Sequence, residues 1–162
     1  MIVTRGNNLD SADSGSGTDA MVYYVMAPTR IDGTMTEQAA RILVVEDEGL
    51  VAMALEQTLI AFGYDVVGPA SNTRTALKLL ASEERFQGAL LDVNLGDERV
   101  DPVAEALAAA SIPFLFATAY SDPAALPAAF RDRPVLNKPY PPERLRQALA
   151  QLLGRAEEAS AR

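Results

Sequence analysis

The chain has 162 residues, enough for one domain that buries a core without disulfides or structural metals. It contains neither cysteine nor histidine, which excludes thiolate and imidazole metal sites as well as Ser-His and Cys-His catalytic arrangements. Its 22 acidic and 14 basic residues give a formal charge of −8, which disfavours nucleic acid as a partner because no basic face is available.

The first 38 residues differ in composition from the rest of the chain. The stretch 7–17 is rich in Asn, Ser, Gly and Asp, and it offers too little apolar surface to offset the entropy of ordering it. We interpret residues 1–38 as a disordered tail, a tag or an upstream-start extension rather than a functional arm. Residues 39–154 form the predicted domain, and residues 155–162 a polar C-terminal tail.

From Arg41 onward, strand-like and helix-like segments alternate. Short apolar runs predict five strands, at residues 42–45, 65–68, 89–91, 113–117 and 135–137. Apolar residues at helical spacing predict helices over 48–61, 73–82 and 101–109, and a last helix that ends near Gly154. Pro127 predicts that a fourth helix, within 123–130, is short or kinked. The alternation predicts an α/β fold with a doubly wound, five-stranded parallel sheet and helices on both faces.

Four of these strands end at reactive polar side chains, namely Glu46 with Asp47, Asp92, Thr118 and Lys138. The C-terminal ends of parallel strands meet at one edge of the sheet, where open α/β sheets bind ligands, so we expect these side chains to converge. Three carboxylates this close raise one another's pKa values unless a cation lies between them. Mg²⁺ is the natural cation, because it is hard, oxygen-bound and shares phosphate ligands. The set therefore indicates a divalent metal beside a phosphorylatable aspartate.

Each of these residues also has an ordinary structural interpretation. Acidic residues after a strand can cap the next helix and oppose its dipole, and we prefer that interpretation for Glu48. Thr118 alone would be read as a helix cap, and Lys138 alone as a solvated surface residue. Their order along the chain, together with Asp92, favours the functional interpretation for the other groups.

The order of these motifs resembles the receiver domain of bacterial two-component response regulators, the CheY-like family. The resemblance covers about residues 41–153 and is carried by Val44-Val45-Glu46-Asp47-Glu48, Leu90-Leu91-Asp92-Val93-Asn94, Ala117-Thr118-Ala119 and Lys138-Pro139-Tyr140. The stretch 113–120 is similar, more narrowly, to stand-alone receivers with a Phe-Ala-Thr-Gly-Tyr motif, the "FAT GUY" group, with Ala119 in place of the glycine. The resemblance implies a flavodoxin-like sheet of strand order 2-1-3-4-5.

The resemblance also implies a Mg²⁺ site next to the phosphoacceptor. Asp92 would accept the phosphoryl group, and Asp47 and Asp92 would ligate the metal directly. Glu46 would act directly or through a water molecule, and the backbone carbonyl of Asn94 would complete the protein ligands.

The phosphoryl group itself would contact three further positions. The Thr118 hydroxyl would bond a phosphoryl oxygen, Ala119 would leave room for the phosphate, and Lys138 would pair with it through a side chain directed by a cis bond to the following proline. Typical receivers carry an aromatic residue three positions before the lysine, where this chain has Val135. We therefore expect Tyr120 to be the switch residue, with an output surface around the fourth helix and fifth strand.

The expected function is a single-domain response regulator that assists its own phosphorylation and dephosphorylation but is not a turnover enzyme. Its expected partners are a histidine kinase or histidine phosphotransfer protein and an unknown output protein, reached through protein contacts or phosphorelay, in stress signalling. It would be a monomer or a phosphorylation-dependent dimer. No apolar stretch approaches the ~20 residues of a membrane span and no signal peptide is recognisable, so we expect it to be cytoplasmic and to bind no membrane.

Two alternative functions stay open at this point. A haloacid-dehalogenase-like phosphohydrolase also uses a strand-end aspartate and Mg²⁺, but that family usually has a second aspartate where Asn94 stands. A pseudo-receiver would be a binding module that acquires no phosphate, and the intact Asp92, Thr118 and Lys138 argue against it.

Overall fold

The structure is a computed structural model that describes residues 39–82, 84–119 and 126–160, with side chains as far as Gly154. The predictions for residues 1–38 and for Tyr120 fall outside the described residues. The elements are β1 (Arg41–Val45), α1 (Gly49–Ala61), β2 (Asp65–Ala70), α2 (Thr73–Ala81), β3 (Gly88–Asp92), β4 (Asn94–Leu95), β5 (Glu98–Arg99), α3 (Asp101–Ala109), β6 (Phe114–Thr118), a 3-10 turn (Ala128–Phe130), β7 (Val135–Asn137) and α4 (Pro142–Ser160).

The main sheet has five parallel strands in the order β2-β1-β3-β6-β7. Counting only these strands, this is the predicted order 2-1-3-4-5, and the fold class is confirmed. The central strands are apolar runs with almost no exposed surface, as expected where helices cover both faces of a parallel sheet. The antiparallel pair β4-β5 forms a separate two-stranded hairpin.

Two apolar layers cover the two faces of the sheet. Along β1, Leu43 and Val45 belong to the cluster formed with α2 and α3, whereas Ile42 and Val44 belong to the cluster formed with α1 and α4. This division follows from the alternation of side chains along a strand. The apolar residues at helical spacing in and beside α1, α3 and α4 face the core. Leu55, Leu59, Val103, Ala104, Leu107, Leu145, Leu149 and Leu152 are buried, and Val51, Phe62 and Leu153 are partly buried.

The last helix is longer than predicted. It continues to Ser160, so the expectation that it ends near Gly154 is wrong, and the predicted polar tail is helical up to Ser160. A glycine inside a helix costs only about 1 kcal/mol relative to alanine, and no proline follows to end the helix. By contrast Gly63, just after α1, adopts φ +87°, a conformation that favours glycine and ends a helix.

Within the segment predicted to hold the fourth helix, the described part contains only the 3-10 turn Ala128–Phe130, which directly follows Pro127. This agrees with the expected short or interrupted helix. Among the residues that the structure describes, no helix combines the length and the apolar character that crossing a bilayer requires.

Among the glycines that the structure describes, Gly68 in β2 is expected to be the least tolerant of substitution. It adopts φ +97°, and a Cβ atom built there would lie 2.8 Å from the Ala70 nitrogen and 3.0 Å from the Val44 carbonyl oxygen. Gly63 has a similar φ but nothing within 4 Å of that position, so Gly63→Ala isolates the backbone strain. We expect Gly63→Ala to lower the free energy of unfolding by about 1 kcal/mol and Gly68→Ala by about 3 kcal/mol in urea titrations. Equal losses would show that the close backbone approach in β2 is not energetically significant.

Candidate functional site

The C-terminal edge of the sheet brings the predicted polar side chains together. Glu46 directly follows β1, Asp92 is the last residue of β3, Thr118 is the last residue of β6, and Lys138 directly follows β7. Because β1, β3, β6 and β7 are consecutive in the sheet, these groups occupy one continuous stretch of its edge. The site thus draws on four separate strands, each of which places its polar residue by ending at the same level.

Lys138 connects two of the three carboxylates of the site. Its Nζ atom donates to Glu46 Oε2 and to Asp92 Oδ2, both at 2.6 Å. Its backbone N–H donates to the Thr118 carbonyl oxygen at 2.8 Å, which ties the end of β7 to the end of β6. The bond between Lys138 and Pro139 is cis, as the family resemblance implied. The ammonium therefore offsets part of the negative charge of the acidic cluster.

Burial and neighbouring charge act in opposite directions on the pKa values of Glu46 and Lys138. Burial raises the pKa of the Glu46 carboxyl, which is only 2% exposed, and the hydrogen bond and positive charge of Lys138 offset that rise only in part. For Lys138, burial lowers the pKa, but the hydrogen bonds to Asp92 and Glu46 and their negative charges raise it by more. Lys138 is accordingly stabilised in its charged form by the two carboxylates that it contacts.

The acidic residues have the geometry and chemistry that a hard divalent cation requires. One carboxylate oxygen from each of Glu46, Asp47 and Asp92 lies within 4.8 Å of the other two. Asp47 and Asp92 are half-buried, so they are accessible to an ion, whereas Glu46 lies beneath them. The Asn94 backbone N–H donates to Asp92 Oδ1 at 3.3 Å, which places the Asn94 backbone beside the cluster. This all-oxygen donor set fits Mg²⁺.

The hairpin formed by β4, β5 and the turn Gly96-Asp97 lies beside Asp47, and sequence reasoning did not find it. Gly96 adopts φ +64°, and a Cβ atom built there would lie 3.9 Å from Asp47 Oδ2. Asn94 pairs with Arg99 across this hairpin. Strands of two residues show no periodicity, but the Gly-Asp dipeptide is a recognised hairpin-turn signal that could have indicated it.

Two other residues near the site, Glu48 and Tyr140, have contacts that the sequence did not predict. Glu48 stands at the N-cap of α1, but its side chain accepts no capping hydrogen bond, and its backbone N–H instead donates to Glu46 Oε1 at 3.4 Å. Tyr140, whose role was not predicted, is partly buried against the α1 and α4 cluster. Burial raises its pKa to about 12, with the Lys138 charge acting in the opposite direction. Its place directly after Lys138-Pro139 was the available sequence signal.

Of the residues linked to switching, the structure describes Val135, at the edge strand and 37% exposed, but not Tyr120. Thr118, by contrast, is buried, with 1% of its surface exposed. The residue predicted to supply the hydroxyl ligand is therefore less exposed than the half-buried Asp47 and Asp92.

Comparison with known families agrees with this geometry. The profile described as the response regulator receiver domain matches residues 42–150, more than half of the chain. The chain belongs to this receiver family. The resemblance drawn from the motifs is thus confirmed, and the protein is a response regulator receiver of the two-component type.

Individual relatives of this receiver support the same assignment. Phyllosphere-induced regulator PhyR of Methylorubrum extorquens is 34% identical over 122 residues, which cover 72% of this chain but only 45% of that protein. The solution structure of SdrG from Sphingomonas melonis Fr1 is 46% identical, covers 72% of this chain and 98% of its own, and has a TM-score of 0.62. A CheY-like receiver from Methanospirillum hungatei JF-1, at 23% identity, 75% and 98% coverage and a TM-score of 0.65, supports the fold alone.

Proposed function

We propose that this receiver accepts a phosphoryl group on Asp92 with the help of a bound Mg²⁺. The observation that carries the proposal is the cluster itself, in which three carboxylates lie within 4.8 Å of one another and Lys138 bonds two of them. Asp47 and Asp92 would hold the metal directly, with Glu46 at its edge and the Asn94 carbonyl as the remaining protein ligand. When bound, Mg²⁺ would neutralise charge on the transferring phosphoryl group.

The proposed reaction is phosphoryl transfer to a carboxylate. A carboxylate oxygen of Asp92 attacks the phosphorus of a phosphohistidine, the phosphorus–nitrogen bond breaks, and the imidazole leaves with the electron pair and takes up a proton. Lys138 moves an ammonium hydrogen bond from a carboxylate to a phosphoryl oxygen, and the Thr118 hydroxyl donates to another. Water later hydrolyses the acyl phosphate slowly, so the protein turns over no external substrate and is not an enzyme in that sense.

The proposed partners follow from this chemistry. The donor would be a histidine kinase or a histidine phosphotransfer protein, and the output an unidentified protein reached by direct contact or phosphorelay, with the receiver a monomer or a phosphorylation-dependent dimer. We place this signalling role in the cytoplasm, as part of a stress response, with Tyr120 as the switch residue and no nucleic acid or membrane partner.

Incubation with Mg²⁺ and acetyl phosphate, followed by intact-mass measurement, tests the proposal. We expect a mass gain of one phosphoryl group that requires Mg²⁺ and decays on removal of the donor. Steady hydrolysis of a generic ester such as p-nitrophenyl phosphate would instead favour the dehalogenase-like alternative. No mass gain would favour a pseudo-receiver.

Asp47→Asn should weaken Mg²⁺ binding about tenfold or more, because it removes one of the accessible carboxylate oxygens of the cluster. Asp97→Asn is the matched control, since it removes the same charge from an exposed residue of the neighbouring hairpin that is not part of the cluster. Isothermal titration measures both affinities, and added Mg²⁺ should raise the melting temperature of the wild type more than that of Asp47→Asn. An unchanged Mg²⁺ affinity in Asp47→Asn would remove this residue from the metal site.

A further inference from the structure

The hairpin after Asp92 is anchored firmly at its base and weakly at its tip. Val93 and Val100 flank it and are fully buried, with the Val100 N–H donating to the Val93 carbonyl oxygen at 3.1 Å. The tip, residues 96–99, is exposed. Because a ladder of two residue pairs is marginal in water, the position of the tip depends on contacts outside the hairpin.

Those contacts are made with the first residue of α2. The backbone N–H of Thr73 donates to Glu98 Oε2 at 3.2 Å, and the Thr73 hydroxyl donates to the Arg99 carbonyl oxygen at 3.4 Å. The first N–H groups of a helix have no partner within it, and a carboxylate is favoured there by the helix dipole. Asn72 satisfies the Thr75 N–H at 2.8 Å, and Glu98 satisfies that of Thr73 from 25 residues further along the chain.

The other strand of the same hairpin lies against the acidic cluster. Asn94 pairs directly with Arg99, and the Asn94 N–H donates to Asp92 Oδ1. The turn residue Gly96 lies next to Asp47. A displacement of β5 away from α2 would therefore shift the hairpin backbone that lies next to the Asp47 and Asp92 carboxylates.

We propose that Glu98 is a positioning residue of the metal site: its bond to Thr73 fixes the hairpin so that the Asn94 backbone is held for the cation, and it couples Mg²⁺ binding to order at the start of α2. This inference rests on the proposed metal site. The coupling is reciprocal, because the free energy that the Glu98–Thr73 bond adds to Mg²⁺ binding equals the free energy by which bound Mg²⁺ stabilises that bond.

Substitutions on both sides of the bond test this role through Mg²⁺ affinity. Glu98→Ala should weaken Mg²⁺ binding about fivefold, which corresponds to one hydrogen bond of about 1 kcal/mol. Glu98→Gln should stay within about twofold of the wild type, because its amide oxygen still accepts from Thr73. Glu105→Ala, which removes a charge from an exposed position of α3, should leave the Mg²⁺ affinity unchanged. If Glu98→Ala and Glu98→Gln weaken Mg²⁺ binding equally, Glu98 acts only through its charge and the inference is wrong.

The donor can be removed without touching Glu98. Thr73 is the first residue of α2 and the preceding Asn72 is extended, so Thr73→Pro is compatible with the helix and deletes only the donor N–H and the hydroxyl. It should weaken Mg²⁺ binding as Glu98→Ala does, and the double variant should be no weaker than either single one. Thr73→Ala, which keeps the N–H, separates the contribution of the hydroxyl. Additive losses in the double variant would overturn the inference.

Amide hydrogen exchange provides a readout that a merely structural role would not change. Mg²⁺ should increase protection at the Thr73 and Thr75 amides in the wild type and in Glu98→Gln. In Glu98→Ala, Mg²⁺ should leave the protection of these two amides unchanged. A wild type that binds no Mg²⁺ contradicts the proposed function and this inference together. If the wild type binds Mg²⁺ and Glu98→Ala shows the same affinity and the same exchange, the inference alone is contradicted.

Discussion

An Asp92→Asn protein should gain no phosphoryl group from acetyl phosphate under conditions that label the wild type completely. The amide lacks the anionic oxygen that attacks phosphorus, and among the described residues no other combines the Lys138 contact with a half-buried position at a strand end. Intact mass gives the stoichiometry, and peptide mapping after borohydride reduction locates the modified residue.

Asp97→Asn is the control for this experiment. It removes an exposed aspartate five residues further along the chain and should label as the wild type does. The fold of Asp92→Asn should persist, since Lys138 keeps its hydrogen bond to Glu46. Labelling that survives in Asp92→Asn would assign the phosphoacceptor to another residue.

Lys138→Met should cause the largest loss of stability among substitutions in the site. It keeps an unbranched side chain but removes the ammonium that bonds Glu46, whose carboxylate is almost entirely buried. Removing one partner of a buried ion pair leaves the other charge uncompensated, and the expected cost is about 3 kcal/mol in metal-free buffer. The lower end of the usual range applies because the Lys138 side chain is 18% exposed.

The loss should depend on pH in a defined direction. The folded-state pKa of Glu46 is already raised by burial, and loss of the Lys138 charge raises it further. A carboxyl whose pKa is raised in the folded state favours folding below its unfolded pKa of about 4.3, and that contribution is lost as pH rises through the folded value. The Lys138→Met deficit should therefore be largest near neutral pH and shrink toward pH 4 in urea titrations.

Two controls separate the buried pair from a general charge effect. Adding Glu46→Gln to Lys138→Met should restore part of the lost stability at neutral pH, because the uncompensated charge is gone. Arg146→Met breaks the exposed pair with Glu143 and should change stability by no more than about 0.5 kcal/mol. A Lys138→Met deficit that is independent of pH would mean that packing, not charge, accounts for it.

Much of the fold and of the site was predictable because the strands are apolar runs that end in polar residues. α3 and β7 were predicted at their observed bounds, and the other strands of the main sheet within about two residues. Once four such ends are adjacent in a parallel sheet, the convergence of Glu46, Asp92 and Lys138 follows from topology alone. The strand order, in contrast, came from the family resemblance, because periodicity carries no information about which strands are neighbours.

The features that were missed depend on tertiary contacts or on very short segments. The β4-β5 hairpin is too short to show periodicity, and its link to α2 joins Thr73 to Glu98 across 25 residues. The continuation of α4 beyond Gly154 shows that glycine is a weak stop where nothing else ends the helix. The partial burial of Tyr140 follows from packing against a cluster that α1 and the sheet help to form, which a local pattern does not encode.

The two edges of the main sheet determine how readily strands of other chains could pair with it. An open sheet exposes unpaired backbone groups along its outer strands, and these can recruit further strands from other chains. At one edge, β2 carries Pro69, which has no N–H, directly after Gly68, and its register shifts within this stretch. At the other edge, β7 is only three residues long. Both outer strands are therefore poor templates for strand addition, and we expect edge-to-edge pairing of this domain with other chains to be disfavoured.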